Sequence, residues 1–376
     1  MFPYPETLDG TPVFPLALGT TGTGTVANTR PDRDQHFVEL FRRAFDLGIN
    51  CFDTAEIYGG GYAETLLGVA FAPVRDSVFI VTKFNPGNAT PRHLREAIEG
   101  SLTSLGCGYV DHFQLHWPNP FVPFEETWGE LKRFLQERKI RSAGVGNCSM
   151  EELEEYWRIS EGRITAVEIG FNAAEPGAED ELISWCRKRG VMVFAYSPLG
   201  QGKLAASGID HSAVAKLCAL HNCTIHGLLL AWVASIEGCI PVVRTGSLQH
   251  LEENYRAVSL KLTPEERMLV ADAFCCLTSA VPLDSIWVAP MDGRGIYCSE
   301  AEALENRFEW IPSPALLAER IRRGQIPAPL RLRQDEAGSL HLDSYDYQGE
   351  MKKYWALRLA HGPSADVAAF VNRERS

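Results

Sequence analysis

The feature that most limits how this chain can fold is a regular alternation of short apolar runs with longer segments of helical period, from about residue 13 to residue 275. Eight of the apolar runs are candidate strands: residues 16–19, 50–53, 78–82, 112–116, 142–146, 166–169, 192–196 and 240–243. Strands that alternate with helices form a parallel sheet, and eight such units in about 250 residues match the size of a (β/α)8 barrel. We therefore predict the α/β class and a closed TIM barrel.

Local signals agree with this reading. The apolar residues Phe37, Leu40, Phe41 and Ala44 share one helical face. Residue 90 is a threonine followed by a proline, which is typical of a helix start. A doubly wound sheet is the main rival, but no G-x-G-x-x-G turn follows the first candidate strand.

The rhythm changes after Cys276. Residues 277–309 contain many proline, glycine and aspartate residues, which predict an irregular connection that can contribute a substrate loop. Order returns in residues 310–376, where we predict a small α+β unit. The expected organisation is thus a barrel over residues 1–276, this connection, and the small C-terminal appendage.

Within the appendage, three local patterns carry the prediction. Ser313 before a proline indicates the start of a helix. Two apolar runs, residues 330–333 and 340–342, suggest a hairpin. Residues 351–361 suggest a second helix, stopped by a glycine and a proline.

Charge and composition exclude several classes of function. The chain has 376 residues and a formal net charge of −12, which argues against a nucleic-acid partner because such partners need a basic face. No run approaches the length of about eighteen apolar residues typical of a membrane helix, and the N-terminal segment does not have the pattern of a leader, so we expect a cytoplasmic protein without a membrane partner. The ten cysteines show no C-x-x-C spacing, and we expect reduced thiols and no bound metal.

Four polar residues stand at or just after the ends of successive candidate strands: Asp53, Tyr58, Lys83 and His116. Taken singly, each has an ordinary structural role, such as a helix cap or a satisfied core histidine. In a parallel barrel, however, the C-terminal strand ends and the loops after them hold the chemistry, so these four side chains can converge at the barrel mouth.

The motifs around these residues resemble those of the aldo-keto reductase family. The segment F-D-T-A-x-x-Y-G carries Asp53 and Tyr58, V-T-K carries Lys83, and L-H-W-P carries His116. The resemblance covers about residues 12–275 and includes the later blocks GVGNCSMEELEE, FAYSPLGQGKL and PVVRTGSLQHLEEN. It implies an NADPH-dependent oxidoreductase that reduces an aldehyde, ketone or sugar-like carbonyl, or catalyses the reverse oxidation. The unusual C-terminal appendage suggests a role in a specialised biosynthetic pathway.

The physical chemistry of the four residues fits that activity. A phenol is a weak acid, and an ammonium group beside it should lower its pKa, while a carboxylate keeps the ammonium charged and in place. Tyr58 is therefore the expected proton donor, with Lys83 and Asp53 tuning it. His116 is expected to orient the carbonyl, and the hydride has to come from a nicotinamide.

The resemblance also implies a set of cofactor residues. The positions that match are Asn147, Glu168, Tyr196, Ser197, Leu199, Gly200, Arg244, Thr245, His250, Glu253 and Asn254. Arg244 stands where family members that use NADPH face the 2′-phosphate, so NADPH is expected to be preferred over NADH. The expected substrate residues are Tyr62, Trp117 and Phe121.

The chain departs from the family pattern at three places. Gly146 stands where many members have a serine, and His250 stands where many have an arginine. The usual glutamine is replaced either by Glu168, or by Ala166 with an insertion in the segment. These changes bear on cofactor affinity and leave the four catalytic positions intact.

The C-terminal segment has a faint likeness to the ParB-like fold but lacks that family's nucleotide motif, so no activity is implied. We expect the appendage to be a structural cap or a homodimer contact. In the connection over residues 277–309, the resemblance implies that Trp287, Met291 and Tyr297 lie near His116 and Tyr58. The alternative function is a non-catalytic NADP-binding regulatory or scaffold protein that docks a partner through the appendage. The intact set of four catalytic positions favours an enzyme.

Overall fold

The structure, a computed structural model, describes residues 12–24, 30–119, 121–206 and 212–275, together with five short strands nearer the C-terminus. The chain divides into two compact units, one of residues 1–118 and 124–280 and one of residues 119–123 and 281–376. The first unit contains a closed barrel of eight parallel strands that neighbour one another in chain order. These are β1 (Ala17–Gly19), β2 (Cys51–Asp53), β3 (Phe79–Phe84), β4 (Val110–Leu115), β5 (Ile140–Gly146), β6 (Ile164–Gly170), β7 (Met192–Tyr196) and β8 (Cys239–Val243).

Every barrel strand is followed by at least one helix. The helices are α1 (Pro31–Asp46), α2 (Tyr62–Phe71), α3 (Pro91–Leu105), α4 (Phe124–Gln136), α5 (Met150–Ile159), α6 (Ser184–Arg189), α7 (Lys203–Ala206), α8 (Ser212–Leu220), α9 (Ile225–Ala234), α10 (Leu248–Ala257) and α11 (Pro264–Cys275). The predicted (β/α)8 barrel is therefore confirmed. The predicted start of α3 is also confirmed, since Thr90 is its N-cap and Pro91 its first residue.

Part of the barrel interior is apolar. Alternate residues of β1, β2, β3, β6, β7 and β8 point inward and form one buried cluster, which includes Ala17, Cys51, Val81, Phe194 and Ile240. This cluster supplies the hydrophobic contacts that hold the strand ring together.

The wall formed by β4 and β5 is different. The inward positions of β4 are the polar residues His112 and Gln114, both fully or almost fully buried. The neighbouring positions of β5 include Gly144, where a Cβ atom would lie 2.4 Å from Nε2 of His112. A glycine at this position therefore leaves the space that a buried imidazole requires.

The second unit contains two small sheets. β9 (Ser285–Val288) pairs antiparallel with β10 (Ile296–Ser299) and with β11 (Trp310–Pro312). The prediction of an irregular connection over residues 277–309 is therefore wrong for two four-residue segments. The segments SIWV and IYCS are composed of residues that favour strands. Each has only four residues and lies among many turn-forming residues, which is why the sequence predicts an irregular connection.

The other small sheet matches its prediction. β12 (Leu332–Gln334) pairs antiparallel with β13 (Leu340–Leu342), which confirms the expected pairing of two strands. The helices predicted near Ser313 and over residues 351–361 lie outside the described residues. So does Met291, and only the backbone is described at Trp287 and Tyr297, so their expected position near the mouth stays a prediction.

Within the described residues, no single helix has both the length and the apolar character needed to cross a membrane. The pair α8 and α9 reaches that length only when taken together, and the two helices are bent by 79° at the break between them.

Candidate active site

The ammonium group of Lys83 is the centre of the polar site at the C-terminal end of the barrel. Its Nζ donates to Asp53 Oδ2 on the neighbouring strand β2 and, at 3.0 Å, to the carbonyl oxygen of Thr54. The Lys83 side chain is only 1% exposed. A buried ammonium group without partners would be strongly unfavourable, so these acceptors are what allow a lysine at this position.

Glu168, on β6, brings a second carboxyl group to the same lysine. Its Oε2 lies 3.4 Å from Lys83 Nζ. The same oxygen accepts a hydrogen bond of 2.5 Å from Nε2 of Gln114. The other end of that amide, Oε1, lies 3.2 Å from Nε2 of His112, so the amide orientation is fixed from both sides.

Tyr58 and His116 complete the group of four predicted catalytic residues. The Lys83 Nζ lies 5.3 Å from the centre of the Tyr58 ring. The rings of Tyr58 and His116 are 5.8 Å apart, edge to face. His116 lies one residue beyond the end of β4, and its ring also contacts that of Trp117, with centroids 4.7 Å apart. The structure therefore brings all four side chains together.

The surroundings fix the charge of Lys83 and Asp53. Burial acts to lower the pKa of Lys83, but the carboxylates of Asp53 and Glu168 outweigh it, and the pKa is raised. Burial raises the pKa of Asp53, while Lys83 acts in the opposite direction. The lysine is thus charged at all physiological pH values, and its closest acceptor is a carboxylate.

Glu168 and His116 are uncharged near neutral pH. Burial, together with the negative charge of Asp53, raises the pKa of Glu168 to about 8. Burial and then the positive charge of Lys83 hold the pKa of His116 well below its usual value. Lys83 and Asp53 therefore form a neutral ion pair between two neutral groups.

The pKa of Tyr58 differs from the expectation. Burial raises it to about 12, while Lys83 and a hydrogen bond with Thr21 act to lower it. Lys83 lowers the pKa of Tyr58, as predicted, but the prediction that the pKa is lowered overall is wrong. Burying a phenolate away from water raises the pKa more than one nearby ammonium group lowers it. Tyr58 is therefore a protonated phenol throughout the physiological pH range.

The residues just beyond β5 and β7 have unusual backbone geometry. Asn147 and Ser197 have φ values of 53° and 52°, in the left-handed region that non-glycine residues rarely adopt. Asn147 Nδ2 donates to the carbonyl oxygen of His116 at 3.0 Å, and its Oδ1 accepts from the Tyr196 hydroxyl at 2.8 Å. Backbone strain of this kind is concentrated at functional sites.

The glycine before Asn147 has a structural reason. A Cβ atom at Gly146 would lie 2.6 Å from the carbonyl oxygen of His116. A serine, which many members of the resembling family have here, would push the strand end away from His116. Nearby, Leu199 and Gly200 lie in the turn after β7, where the N–H of Gly200 donates to Ser197 O at 2.9 Å.

The predicted adenosine-binding residues lie between β8 and α10 and along α10. Arg244 is exposed, and its Nη2 donates to Gly22 O at 3.4 Å. The Thr245 hydroxyl accepts from the N–H of Ser247 at 3.0 Å, and Ser247 in turn caps α10. The remaining three are His250, exposed in the first turn of α10, Glu253, which accepts from Gln249 Nε2 at 3.0 Å, and the buried Asn254.

The predicted substrate residues have different surroundings. Tyr62 starts α2, and its hydroxyl donates to Asp34 Oδ2 at 2.5 Å. Trp117 is half-buried beside His116, and its Nε1 has no hydrogen-bond partner among the described residues. Phe121 belongs to the second unit, where its N–H donates to Asn119 Oδ1 at 2.9 Å. Their role in substrate binding stays a prediction.

Three residues that contact the site are not predicted from the sequence. These are Thr21, which forms a hydrogen bond with Tyr58, and the pair Gln114 and His112 behind Glu168. A signal for the pair was present, because residues 112, 114 and 116 are polar at alternate positions of one strand, which places them all on one face. Thr21 carries no such signal.

The C-terminal end of this parallel barrel holds a buried charge pair beside a phenol and an imidazole. These groups are suited to transfer a proton, and the C-terminal end is where barrel enzymes have their active sites. Comparison with known proteins makes this specific. Residues 15–272 match the family model described as the Aldo/keto reductase family. The chain belongs to that family and is an oxidoreductase.

Individual relatives agree with the family match. The chain is 31% identical to methylglyoxal reductase YeaE of Escherichia coli (strain K12) over 251 residues, which are 66% of this chain and 88% of the relative. Among solved structures, a thermostable aldo-keto reductase, Tm1743, in complex with the inhibitor epalrestat is 33% identical, with a TM-score of 0.68, over 72% of this chain and 100% of that one. An aldo/keto reductase from Klebsiella pneumoniae in complex with NADP and acetate is 29% identical, with a TM-score of 0.68, over 73% and 96%.

Proposed function

We propose that this protein reduces the carbonyl group of an aldehyde, ketone or sugar-like substrate with NADPH, and that Tyr58 donates the proton. The observation that carries the proposal is the placement of the Tyr58 phenol beside both the buried Lys83 and the His116 ring. A phenol that stays protonated at neutral pH, beside a cation that stabilises its anion, is suited to protonate an alkoxide as it forms.

The residues at the mouth fit a nicotinamide cofactor. Tyr196 is half-buried and offers an aromatic ring, and Asn147 offers amide groups for a carboxamide. The exposed guanidinium of Arg244 stands just before the N-terminus of α10, which favours a phosphate dianion at this point. When bound, NADPH supplies the hydride that no side chain can provide.

The side chains then have separate tasks in reduction. As the carbonyl carbon gains a hydride and its C–O double bond becomes single, the O–H bond of Tyr58 breaks and its proton passes to the substrate oxygen. The remaining phenolate is stabilised by the Lys83 ammonium, which Asp53 and Thr54 hold in place. A proton from solvent then restores Tyr58. In alcohol oxidation the same steps run in reverse.

His116 is proposed to orient the carbonyl as a neutral donor. Its Nδ1 is buried and has no hydrogen-bond partner among the described residues. Buried N–H groups without a hydrogen-bond partner are rarer in proteins than buried acceptors without one. The unpaired Nδ1 is therefore assigned as an acceptor. We therefore assign the ring proton to Nε2, from which it can be donated to the substrate oxygen.

The direct test is a hydride-transfer assay on a panel of aldehydes, ketones and sugars, with methylglyoxal included because a relative carries that name. We expect the panel to contain a substrate that is reduced with consumption of NADPH and formation of an equal amount of alcohol. If NADPH bound but no carbonyl compound was reduced and no corresponding alcohol was oxidised, the proposed reaction would be excluded for these substrate classes.

Cofactor preference gives a first prediction. Replacing Arg244 with alanine should raise the Kd for NADPH about ten- to a hundredfold, because a charge-assisted hydrogen bond to the 2′-phosphate is worth about 1.5–3 kcal/mol. The Kd for NADH, which has no 2′-phosphate, should change little. Fluorescence titration measures both values. The matched control is Arg256→Ala, an exposed arginine in the last turn of α10, and an equal loss with both variants would contradict the assignment.

A second prediction concerns the connection and the appendage together. We propose that residues 277–376 take part in substrate selection or in a homodimer contact; the support is that the chain continues beyond α11 into a second compact unit. A chain ending at Cys275 should lose about tenfold in kcat/KM for the best substrate, the effect of a few lost pocket contacts. Unchanged NADPH affinity would show that the barrel is intact, and an unchanged kcat/KM would count against the proposal. Light scattering of both chains tests the homodimer.

We also propose that the protein acts in the cytoplasm. The support is that seven cysteines of the barrel unit are free thiols, among them the buried Cys51, Cys186 and Cys239. Free thiols are typical of reducing compartments.

A further inference from the structure

The least expected group in the site is the buried carboxyl group of Glu168. The four predicted catalytic residues already include a carboxylate for Lys83, namely Asp53, so a second one is not needed to balance the charge. Yet Glu168 is 4% exposed and lies within ion-pair distance of the same ammonium.

The position of Glu168 along β6 indicates that it replaces the glutamine found in many aldo-keto reductases. Glu168 is in register with Gly146, and its carbonyl oxygen accepts the N–H of Asn147 at 2.8 Å. Ala166 lies two residues earlier on the strand and belongs to the apolar cluster. Of the two candidates, only Glu168 therefore lies beside Asn147. A glutamine here would be neutral at every pH, whereas a glutamate is not.

Several contacts fix the position of the Glu168 carboxyl group. Gln114 donates to Oε2, and His112 fixes the orientation of Gln114. His112 in turn fits only because Gly144 has no side chain. Buried residues of β4 and β5 thus orient the Gln114 amide so that it donates a hydrogen bond to this carboxyl group.

We propose that Glu168 is a positioning residue for proton transfer, which shares the Lys83 ammonium with Asp53 and can place a second negative charge near Tyr58. The inference rests on the proposed function of Tyr58 as proton donor. When Glu168 is protonated, the charges of Asp53 and Lys83 cancel. When it is ionised, the cluster has a net charge of −1, and Tyr58 becomes a weaker acid.

The other groups around Glu168 do not offset this charge. The titratable groups that interact with it are Asp53, Lys83, Tyr58 and Cys51. His112 on β4 is neutral, since burial lowers its pKa to about 3. The neighbours in register on β5 and β7 are Gly146 and Phe194, which carry no charge. Lys83 is thus the one cation among these neighbours, and Asp53 already pairs with it.

The expected pH dependence follows from the pKa of Glu168. Burial raises that pKa to about 8, so the carboxyl group loses its proton as the pH rises through this value. The kcat for reduction should then fall about three- to tenfold to a lower plateau, because a donor weaker by about one pKa unit transfers its proton more slowly. KM for the carbonyl substrate should stay the same, since ground-state binding is unaffected.

The test compares kcat and KM from pH 6 to pH 10 for the wild-type protein and for Glu168→Gln. In the variant the step near pH 8 should disappear, so that the ratio of kcat at pH 6 to kcat at pH 10 falls from about three- to tenfold to about one. If the step persisted in Glu168→Gln, the proposal would be overturned. A fall in kcat by the same factor at every pH would show a purely structural role and would also overturn it.

The matched control is Glu64→Gln. Glu64 is another buried glutamate, whose pKa is raised by burial to about 7. Its Oε1 accepts from Thr82, and the charge of Lys83 affects its pKa less than Thr82, Ser101 or Glu56 does. This variant should keep the step near pH 8. Loss of the step in Glu64→Gln as well would contradict the assignment to Glu168.

Two further measurements keep the inference testable if Glu168→Gln does not fold or if no substrate is found. Gln114→Leu removes the donor to the carboxylate and should move the step to higher pH; an unmoved step would count against the proposal. Infrared difference spectra between pH 6 and pH 10, without substrate, should show a larger loss of protonated carboxyl absorption in the wild-type protein than in Glu168→Gln, because Glu64 titrates in both proteins and Glu168 only in the wild type. An identical band change in both proteins would overturn the role of Glu168 whether or not the protein is a reductase.

Discussion

Tyr58→Phe protein should lose about 10²- to 10⁴-fold in kcat for carbonyl reduction, the range typical of removing a general acid, while binding NADPH with nearly unchanged affinity. The substitution removes one hydroxyl group and keeps the ring beside Lys83 and His116. Because the hydroxyl acts only when charge develops on the substrate oxygen, the loss should appear in kcat more than in KM. Steady-state kinetics and cofactor titration on the same preparation measure both.

The control for this variant is Tyr109→Phe. Tyr109 is a second phenol whose hydroxyl donates to Asp76 at 2.7 Å, outside the site. It should keep wild-type turnover. If Tyr58→Phe retained more than about a tenth of the wild-type kcat, another group would have to be the proton donor.

Lys83→Met protein should lose both activity and stability. It leaves the carboxyl groups of Asp53 and Glu168 buried without their cation, and breaking a buried ion pair in this way costs about 3–5 kcal/mol of unfolding free energy. The kcat should fall about as far as in Tyr58→Phe, because the phenolate formed on proton transfer is no longer stabilised. Chemical denaturation and steady-state kinetics measure the two effects.

The stability loss should depend on pH, with a sign that follows from the carboxyl groups. Without Lys83 their pKa values in the folded protein rise further, so the folded state holds protons that the unfolded chain releases. Stability relative to wild type should then fall as the pH rises from about 4, where both groups are protonated in the folded state. Adding Asp53→Asn and Glu168→Gln to Lys83→Met should recover part of the loss, and a deficit that did not change with pH would exclude this explanation.

The control for Lys83→Met is Lys139→Met. Lys139 also pairs with two carboxylates, Glu99 and Glu137, but its side chain is 25% exposed and the pairs are near the surface. Solvent-exposed pairs contribute little, so the Tm of this variant should stay close to that of the wild type.

Much of this arrangement could be predicted from the sequence because barrel topology converts positions along the chain into positions in space. Asp53, Lys83 and His116 lie at or just beyond the ends of neighbouring strands, and the parallel barrel brings all such ends to one face. No knowledge of the side-chain conformations was needed to expect them together. Asn147 and Tyr196 were expected only from the family resemblance.

What the sequence could not give was the balance of opposing effects. The pKa of Tyr58 depends on the cost of burial against the benefit of Lys83, and only the coordinates show that burial is larger. The choice between Glu168 and Ala166 required the register of β6, since a shift of two residues keeps the same face of the strand. The strands β9 and β10 were missed because four residues are too few for a period to be read against turn-forming neighbours.

The charged groups around the proposed proton donor and the predicted substrate residue Trp117 lie in different kinds of structure. Asp53, Lys83 and Glu168 are strand residues, locked into the closed ring by the backbone pairing of their neighbours. Trp117 lies outside the regular strands, in the segment that follows β4. Loops tolerate insertion and exchange far better than the strands they connect. For an engineer, grafting the loop after β4 from relatives, while keeping the segment between β2 and α2 that carries Tyr58, should therefore change which carbonyl compounds are accepted without retuning the acidity of the proton donor.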